Sequence, residues 1–216
     1  RFLPTILPDK RQAEVRMTLS DQGVDMLIAG VEVDGLAATE SVTDFAQRNG
    51  LSRVSVDEGY GPSARWEPEP VAVTLGGVPV PLPDTAFLQA TTEGEAALVA
   101  AVQEAVGPAQ TVADLFAGLG TFALSVPATS VAVEGARNAI LSLQQAANKA
   151  GRALLCEHRD LFRRQLTPAE LAPFGAIILD PPRAGAKEQV EHLAASTVPM
   201  IAYVSCNPST FGRDAK

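Results

Sequence analysis

The fold is decided by the stretch from residue 114 to residue 122, which reads Asp114-Leu115-Phe116-Ala117-Gly118-Leu119-Gly120-Thr121-Phe122. A strand-like run leads into two closely spaced glycines and then into a helical pattern. Glycine is needed where the chain turns sharply and a ligand approaches the backbone. The spacing Gly118-x-Gly120-x-x-Ala123 also fits the looser dinucleotide fingerprint. A nicotinamide cofactor and a glycine turn without a ligand therefore both stay open at this point.

Strand-like and helical patterns alternate around this turn. A capping box formed by Thr92 and Glu95 predicts the start of a helix that Gly107-Pro108 ends. Strands that are apolar on both faces and alternate with helices indicate an α/β fold with a doubly wound parallel sheet. The predicted strands are 111–116, 131–134, 153–156, 176–179 and 200–205, with helices at 136–150 and 186–196.

The part of the chain before the turn has a different pattern. Two short β-like runs flank Ser20-Asp21-Gln22-Gly23 and predict a hairpin over residues 13–29. A helix over residues 39–49 and strands at 53–56 and 71–75 complete a small α+β unit. Six prolines lie in the stretch from Pro62 to Pro83 and make that stretch extended. We therefore predict an α+β subdomain over residues 1–83 and an α/β domain over residues 84–216, which we expect to continue beyond Lys216.

Composition limits the classes of function. The chain has 216 residues and a formal charge of -8. A negative charge opposes binding to phosphate groups, unless basic residues cluster at one place or another part of the protein supplies them. Two cysteines and two histidines without ligand spacing predict neither a disulfide framework nor a metal site. No apolar run is long enough for a membrane span, and the first residues lack the pattern of a secretory signal. We therefore expect a cytoplasmic location and no membrane partner.

Acidic residues follow two of the predicted strands. Glu134 ends the second strand, where a carboxylate can accept hydrogen bonds from ribose hydroxyls. It can equally be an acid favoured by the dipole of the following helix. Asp160 follows the third strand, where it could meet an adenine amino group or simply be an exposed loop acid.

Two further segments stand at the ends of the fourth and fifth strands. Asp180-Pro181-Pro182-Arg183 places a carboxylate at the carboxyl edge of the sheet and stiffens the loop behind it. Amine-directed methyltransferases have an aromatic residue after the two prolines, so Arg183 points away from that chemistry.

Free cysteines are usually core residues, as Cys156 would be. Cys206 departs from that pattern, because it stands where the strand stops, beside Asn207-Pro208.

Together these segments resemble the RNA 5-methyluridine (uracil-C5) methyltransferase family over residues 86–216. The resemblance implies a class I methyltransferase fold and methylation of carbon 5 of a uridine in rRNA or tRNA by a monomeric enzyme. It makes Cys206 the nucleophile and Asp180 a second catalytic residue, with Arg183 and Asn207 binding the RNA substrate. It implies that S-adenosyl-L-methionine is bound by Gln89, Phe116, Gly118, Gly120, Thr121, Glu134, Asp160 and Asp180.

The resemblance leaves some points outside this sequence. The family uses a glutamate as general base, which we expect beyond Lys216, and commonly an oligonucleotide-binding barrel before the present residues. Arg183 and Arg213 are both candidates to lower the pKa of the Cys206 thiol.

A nicotinamide-dependent oxidoreductase built on Gly118, Gly120 and Glu134 would leave Cys206 unexplained. A non-catalytic RNA-binding module is the other alternative.

Overall fold

The computed structural model describes residues 12–216. By its internal contacts the chain divides into two compact units, Arg1–Val73 and Thr74–Lys216. Each unit has its own sheet and its own buried cluster of apolar side chains.

The described part of the first unit is a mixed sheet covered by a helix. Strands β1 (Glu14–Ser20) and β2 (Gly23–Ala29) form the predicted hairpin, which is confirmed. Helix α1 (Gly35–Arg48) then leads to β3 (Leu51–Asp57), which lies parallel to β2, and β4 (Pro62–Trp66) pairs antiparallel with β3. The helix buries its apolar face on the sheet, so the residues that form the core are Ile28, Val31, Val33, Val42, Ala46, Val54 and Val56.

A short hairpin follows, formed by β5 (Ala72–Leu75) and β6 (Val78–Pro81). Strand β6 packs against the helix Arg137–Lys149 of the second unit. The predicted boundary after residue 83 therefore lies inside the second unit, because packing of this hairpin, rather than the run of prolines, sets the division.

The second unit is built on a parallel sheet of five strands. They are β7 (Val112–Leu115), β8 (Thr129–Glu134), β9 (Leu155–His158), β10 (Ala176–Leu179) and β11 (Ile201–Tyr203). Their order is β11-β10-β7-β8-β9, so the chain starts at the centre, builds one side and then crosses to the other. This confirms the predicted doubly wound α/β fold and makes the carboxyl end of β7 the place where the strand order reverses.

Helices cover both faces of this sheet. They are α2 (Thr92–Val106), α3 (Thr121–Ser125), α4 (Arg137–Lys149), α5 (Pro168–Leu171), α6 (Lys187–Ala194) and α7 (Pro208–Asp214). Successive side chains of a strand point to opposite faces. Ile177 and Leu179 of β10 accordingly join the cluster that contains Leu193 of α6. Ala176 and Ile178 join the cluster that contains Val102 and Phe122.

One predicted helix start is wrong by a residue. Thr91, and not Thr92, caps α2, because Thr91 is extended (φ -140°) and its side chain accepts a hydrogen bond from the amide of Gly94 at 3.0 Å. The predicted end is confirmed. Gly107 adopts φ 56° there and its amide bonds to the carbonyl of Gln103, a conformation that favours glycine.

Candidate active site

The glycine turn opens at the carboxyl end of β7. Phe116 at φ 62°, Gly118 at φ 56° and Gly120 at φ 95° all have left-handed backbone conformations. A Cβ on Gly120 would lie 2.4 Å from Cδ1 of Leu143, whereas a Cβ on Gly118 would meet nothing within 4 Å. Gly120 thus lets α4 pack closely, and Gly118 presents bare backbone to an open space where a ligand can approach.

Glu134 ties this turn to the next helix. Its Oε2 accepts a hydrogen bond from the amide of Gly118 at 2.8 Å, and its Oε1 accepts one from the amide of Ala136 at 2.6 Å. The contact with Ala136 agrees with the helix-start interpretation of this acid. Each carboxylate oxygen still has a lone pair for a ligand hydroxyl, so the two interpretations are compatible.

Asp114 begins the quoted turn but was not among the predicted site residues. It is fully buried in β7, and neither carboxylate oxygen makes a hydrogen bond of ordinary geometry with a described residue. Burial raises the pKa of Asp114 well above its usual range, the nearby Asp180 and Glu134 raise it further, and the amide of Ala123 opposes them only in part. The available signal was an acid inside an apolar strand, since a buried carboxylate normally has a partner.

Asp160 and two aromatic rings lie on the β9 side of the turn. The Cα of Asp160 lies 3.5 Å from where a Cβ on Gly135 would be, directly after Glu134. Its Oδ1 accepts a hydrogen bond from the amide of Phe162 at 2.9 Å. The ring of Phe162, which is 45% exposed, lies 5.3 Å from the ring of Phe116. Phe162 was not predicted, and its exposure beside Phe116 is visible only in three dimensions.

Arg159 fixes the segment that carries Asp160 and Phe162. Its buried guanidinium donates to the carbonyl of Arg164 at 2.7 Å, to the carbonyl of Gln165, and to the Glu170 carboxylate at 2.7 Å. The hydrogen bond from Arg159 to the Glu170 carboxylate, with others from Thr167, lowers the pKa of Glu170 to about 2. The loop is therefore held by one side chain at its base.

Asp180 follows β10 on the other side of β7. Its amide bonds to the carbonyl of Leu115 at 3.3 Å, which places it beside the start of the glycine turn. The side chain is mostly buried, and this burial raises the pKa of Asp180 to about 6. An acid with such a pKa can change its protonation state near neutrality.

Cys206 lies at the end of the neighbouring strand. Strand β11 pairs with β10 through Leu179 and Tyr203, and the amide of Val204 continues the pairing with the carbonyl of Leu179 at 2.8 Å. Cys206 then leaves the sheet and its residue is exposed, whereas Cys156 is half-buried in β9. The structure thus places the thiol and Asp180 at the ends of adjacent parallel strands.

Two of the predicted residues near Cys206 have side-chain partners. The Asn207 side chain caps α7 by accepting from the amide of Ser209 at 3.1 Å, and it donates to the carbonyl of Arg183 at 3.0 Å. The guanidinium of Arg213 pairs with Asp214 and the carbonyl of Ala184. The side chain of Arg183 is exposed. RNA binding by Asn207 and Arg183 stays a prediction.

Gln89 and Thr121 are less closely connected to the site. Gln89 is half-buried in the segment before α2, and Thr121 is the first residue of α3. Among the described residues, no hydrogen bond joins either side chain to the other predicted site residues. Their part in cofactor binding stays a prediction as well.

The sequence profile of the tRNA (uracil-5-)-methyltransferases matches residues 83–216, which include every predicted site residue. The chain belongs to this methyltransferase family. Membership speaks against the nicotinamide-dependent alternative. The match begins where the prolines end, so the methyltransferase signature coincides with most of the second unit.

Curated relatives of this methyltransferase chain are similar over both units. It is 56% identical over 217 residues to an uncharacterized RNA methyltransferase of Zymomonas mobilis, covering 100% of the chain and 55% of the relative. It is 35% identical over 150 residues to the 23S rRNA (uracil(1939)-C(5))-methyltransferase RlmD of Thiobacillus denitrificans, covering 65% of the chain and 34% of the relative. The chain thus spans about half the length of the first of these relatives.

A solved structure shares the fold of this methyltransferase chain. It is the Pyrococcus abyssi tRNA (uracil-54, C5)-methyltransferase in complex with S-adenosyl-L-homocysteine, with a TM-score of 0.70 and 23% identity, covering 89% of this chain and 48% of that one. Within residues 12–216 no helix has the length and apolar character to cross a membrane. The same residues contain no group of three or more His, Cys, Asp or Glu side chains that could hold a metal ion.

Proposed function

We propose that this chain carries the cofactor site and the nucleophile of an enzyme that uses S-adenosyl-L-methionine to methylate carbon 5 of a uridine in rRNA or tRNA. The observation that carries the proposal is that the exposed Cys206 and the mostly buried Asp180 follow the ends of two adjacent parallel strands. The glycine turn lies at the end of the third strand in line, β7.

The residues around the glycine turn fit this cofactor. Gly118 leaves an open space against bare backbone, and Glu134 has acceptor capacity for the ribose hydroxyls. Asp160 and the rings of Phe116 and Phe162 form a partly apolar place for the adenine. Asp114 is fully buried and does not contact a ligand directly, but a cationic ligand near the turn would favour its charged form. When bound, the cofactor supplies an electrophilic methyl group.

Cys206 activates the base. Carbon 5 of uracil is a weak nucleophile, and attack of the Cys206 thiolate on carbon 6 forms a carbon–sulfur bond and moves the electron pair of the 5,6 double bond into an enolate. Carbon 5 would then displace the methyl group of the sulfonium, with the sulfur–methyl bond breaking and S-adenosyl-L-homocysteine leaving. A base removes the proton from carbon 5, the double bond re-forms, and the thiolate leaves.

Asp180 orients the uracil. With a pKa of about 6, its carboxyl group is mostly ionised at pH 7 and accepts a hydrogen bond. The N3–H of uracil is the matching donor, and cytosine has no proton at this position. Asp180 therefore favours uracil over cytosine while it holds carbon 6 near the thiol.

RNA is the expected partner. The target base has to leave its stack, which costs about a few kcal/mol and less in a single-stranded loop. The exposed Arg163, Arg164 and Arg183 supply local positive charge on a chain whose net charge is -8. The choice between rRNA and tRNA, the monomeric state and the cytoplasmic location stay predictions.

A trapping experiment on the full-length protein tests the proposal. We expect RNA containing 5-fluorouridine to form a covalent adduct with the wild type and with Cys156→Ala, because Cys156 is half-buried in β9. We expect Cys206→Ala to form no adduct, to lose methyl transfer and to bind S-adenosylhomocysteine within twofold of the wild type. Absence of an adduct with the wild type, or an unchanged adduct with Cys206→Ala, would contradict the nucleophile assignment.

A thermal-shift comparison separates the cofactor assignment from the nucleophile assignment. S-adenosylhomocysteine is expected to raise the melting temperature, whereas the nicotinamide dinucleotides are expected to leave it unchanged. A non-catalytic RNA-binding module would instead show RNA binding with neither cofactor binding nor an adduct.

A further inference from the structure

Helix α7 is bonded to the loop that follows Asp180-Pro181-Pro182. Asn207 Nδ2 and Thr210 Oγ1 donate to the carbonyl of Arg183 at 3.0 and 3.2 Å. Arg213 Nη2 donates to the carbonyl of Ala184 at 2.9 Å. Asp214 Oδ2 accepts from the amide of Ala186 at 2.7 Å. The main chain of residues 183–186 is thus held by side chains from one helix.

Asp214 is the centre of these contacts. Its side chain is fully buried, and Oδ2 also accepts from the hydroxyl of Tyr203 at 2.8 Å. Oδ1 accepts from Arg213 Nε at 2.7 Å and Nη2 at 2.5 Å. Burial alone would raise the pKa of Asp214, but the hydrogen bonds from Ala186, Arg213 and Tyr203 outweigh it and lower the pKa. The buried carboxylate is therefore charged and fully partnered.

Two further features show that the fit is close. A Cβ on Gly185 would lie 2.4 Å from Asp214 Oδ2, so at this position a side chain would displace the carboxylate. The ring of Tyr203 also packs edge-on against Phe211 of α7, with 5.3 Å between the ring centroids. Strand β11, helix α7 and the 183–186 loop therefore share one set of contacts around Asp214.

These contacts join the two segments that carry the chemistry. Helix α7 begins directly after Cys206-Asn207, and the bonded loop begins directly after Asp180-Pro181-Pro182. Strand pairing fixes Leu179 beside Tyr203, but both reactive residues lie beyond the paired residues. A reacting pair has to be held within about 0.5 Å of its productive geometry. The α7 contacts supply that restraint where the sheet ends.

We propose that Asp214, with Tyr203 and Arg213, is a positioning residue that sets the separation between Asp180 and Cys206 in the methyl-transfer site. This inference rests on the proposed function, because it assigns the network a part in the same reaction. The network contacts neither the glycine turn nor Glu134 among the bonds described, so cofactor binding is independent of it. Disturbing Asp214 slows attack on the uracil and leaves the cofactor affinity intact.

The test uses three variants of the full-length protein. Asp214→Asn keeps the size of the side chain but removes the charge that Arg213 pairs with, and Tyr203→Phe removes only one hydroxyl donor. Glu191→Gln is the matched control, because it removes an exposed carboxylate whose ion pair is with Lys187 on the same helix. The measurements are the rate of adduct formation with 5-fluorouridine RNA, kcat, KM for RNA, the Kd of S-adenosylhomocysteine, and the melting temperature.

Asp214→Asn is expected to slow adduct formation and lower kcat by at least about tenfold, since a misplacement of 1 Å can cost about 100-fold. Tyr203→Phe is expected to give a smaller loss of about threefold, and Glu191→Gln no change. The Kd of S-adenosylhomocysteine should stay within twofold in all three. A purely structural role would lower the melting temperature and leave adduct formation unchanged at a temperature where the variant is folded.

The outcomes separate this inference from the proposed function. A wild type that forms an adduct, together with a folded Asp214→Asn that forms it equally fast, overturns the inference alone. If Asp214→Asn does not fold, Tyr203→Phe decides, and an unchanged adduct rate in that variant overturns the inference. A wild type that forms no adduct overturns the proposed function and this inference with it.

Discussion

The two glycines of the turn differ in what surrounds them, and this gives a residue-scale prediction. Gly118→Ala is expected to cost about 1–2 kcal/mol of stability, from the left-handed backbone alone, and to weaken S-adenosylhomocysteine binding at least tenfold. Gly120→Ala adds a clash with Leu143 and is expected to cost about 2–5 kcal/mol, with little loss of affinity in the folded fraction. Urea unfolding and calorimetry measure the two effects. Equal losses of affinity would contradict the assignment.

Asp114 gives a second prediction at the same scale. Because burial and the nearby Asp180 and Glu134 disfavour a charge on Asp114, the neutral Asp114→Asn variant is expected to raise the melting temperature of the free protein by roughly 2–4 °C, which corresponds to about 1 kcal/mol. The same change should weaken binding of a cationic cofactor. Differential scanning fluorimetry with and without S-adenosylmethionine tests both parts, and a melting temperature below that of the wild type would speak against them.

Sequence motifs predicted which chemically specific residues lie at one edge of the sheet, and their roles in the site stay predictions. Gly118, Glu134, Asp180 and Cys206 could be predicted because they follow strands whose ends meet at one edge of the sheet. The Phe116–Phe162 ring contact and the bonds around Asp214 depend on distances between segments. Such contacts leave no mark in a single sequence, since a lone aromatic or acidic residue is common on any surface.

At the scale of elements, the loop after β9 depends on Arg159. Arg159→Gln is expected to destabilise the chain by about 1–3 kcal/mol, because the carbonyls of Arg164 and Gln165 and the Glu170 carboxylate lose a charged donor. Arg164→Gln is the control in the same loop. Its exposed side chain reaches Glu157 only at 3.5 Å, so we expect a loss under about 0.5 kcal/mol. Similar losses for both variants in urea unfolding would refute the role of Arg159.

The elements themselves followed the periodicity of apolar residues closely. All five strands of the parallel sheet and both long helices after β7 lie where the sequence predicted them, with ends that differ by a few residues. The start of α2 was misplaced because Thr91 and Thr92 offer the same hydroxyl, and only the backbone angles tell which one caps the helix. Strand β5 was predicted at residues 71–75, but its pairing with β6 and the packing of β6 against α4 were not.

For the whole molecule, the raised carboxyl pKa values predict how stability depends on pH. The folded chain binds a proton at Asp180 with a pKa of about 6, above the ordinary 3.8, so stability falls as pH rises from about 4 to about 6. The raised pKa of Asp114 acts in the same direction. Glu170, with a pKa of about 2, acts in the opposite direction only below its ordinary 4.5. The free energy of unfolding should therefore increase between pH 7 and pH 5.

Urea unfolding at several pH values checks this prediction. The Asp180→Asn variant is the comparison, because it removes one of the carboxyl groups whose pKa is raised and should flatten the dependence. The experiment would contradict the burial argument if the wild type lost stability between pH 7 and pH 5, or if the slope were the same in Asp180→Asn.

The order of the strands divides the chemistry of the second unit between the two flanks of β7. Strands β8 and β9 lead to Glu134 and Asp160, whereas β10 and β11 lead to Asp180 and Cys206. Because each flank is also continuous in the chain, one crossover near Gly175 would separate Gly118, Glu134 and Asp160 from Asp180 and Cys206. We expect recombination at that point to exchange the residues proposed to handle the target base while it keeps the glycine turn, Glu134 and Asp160 from one parent.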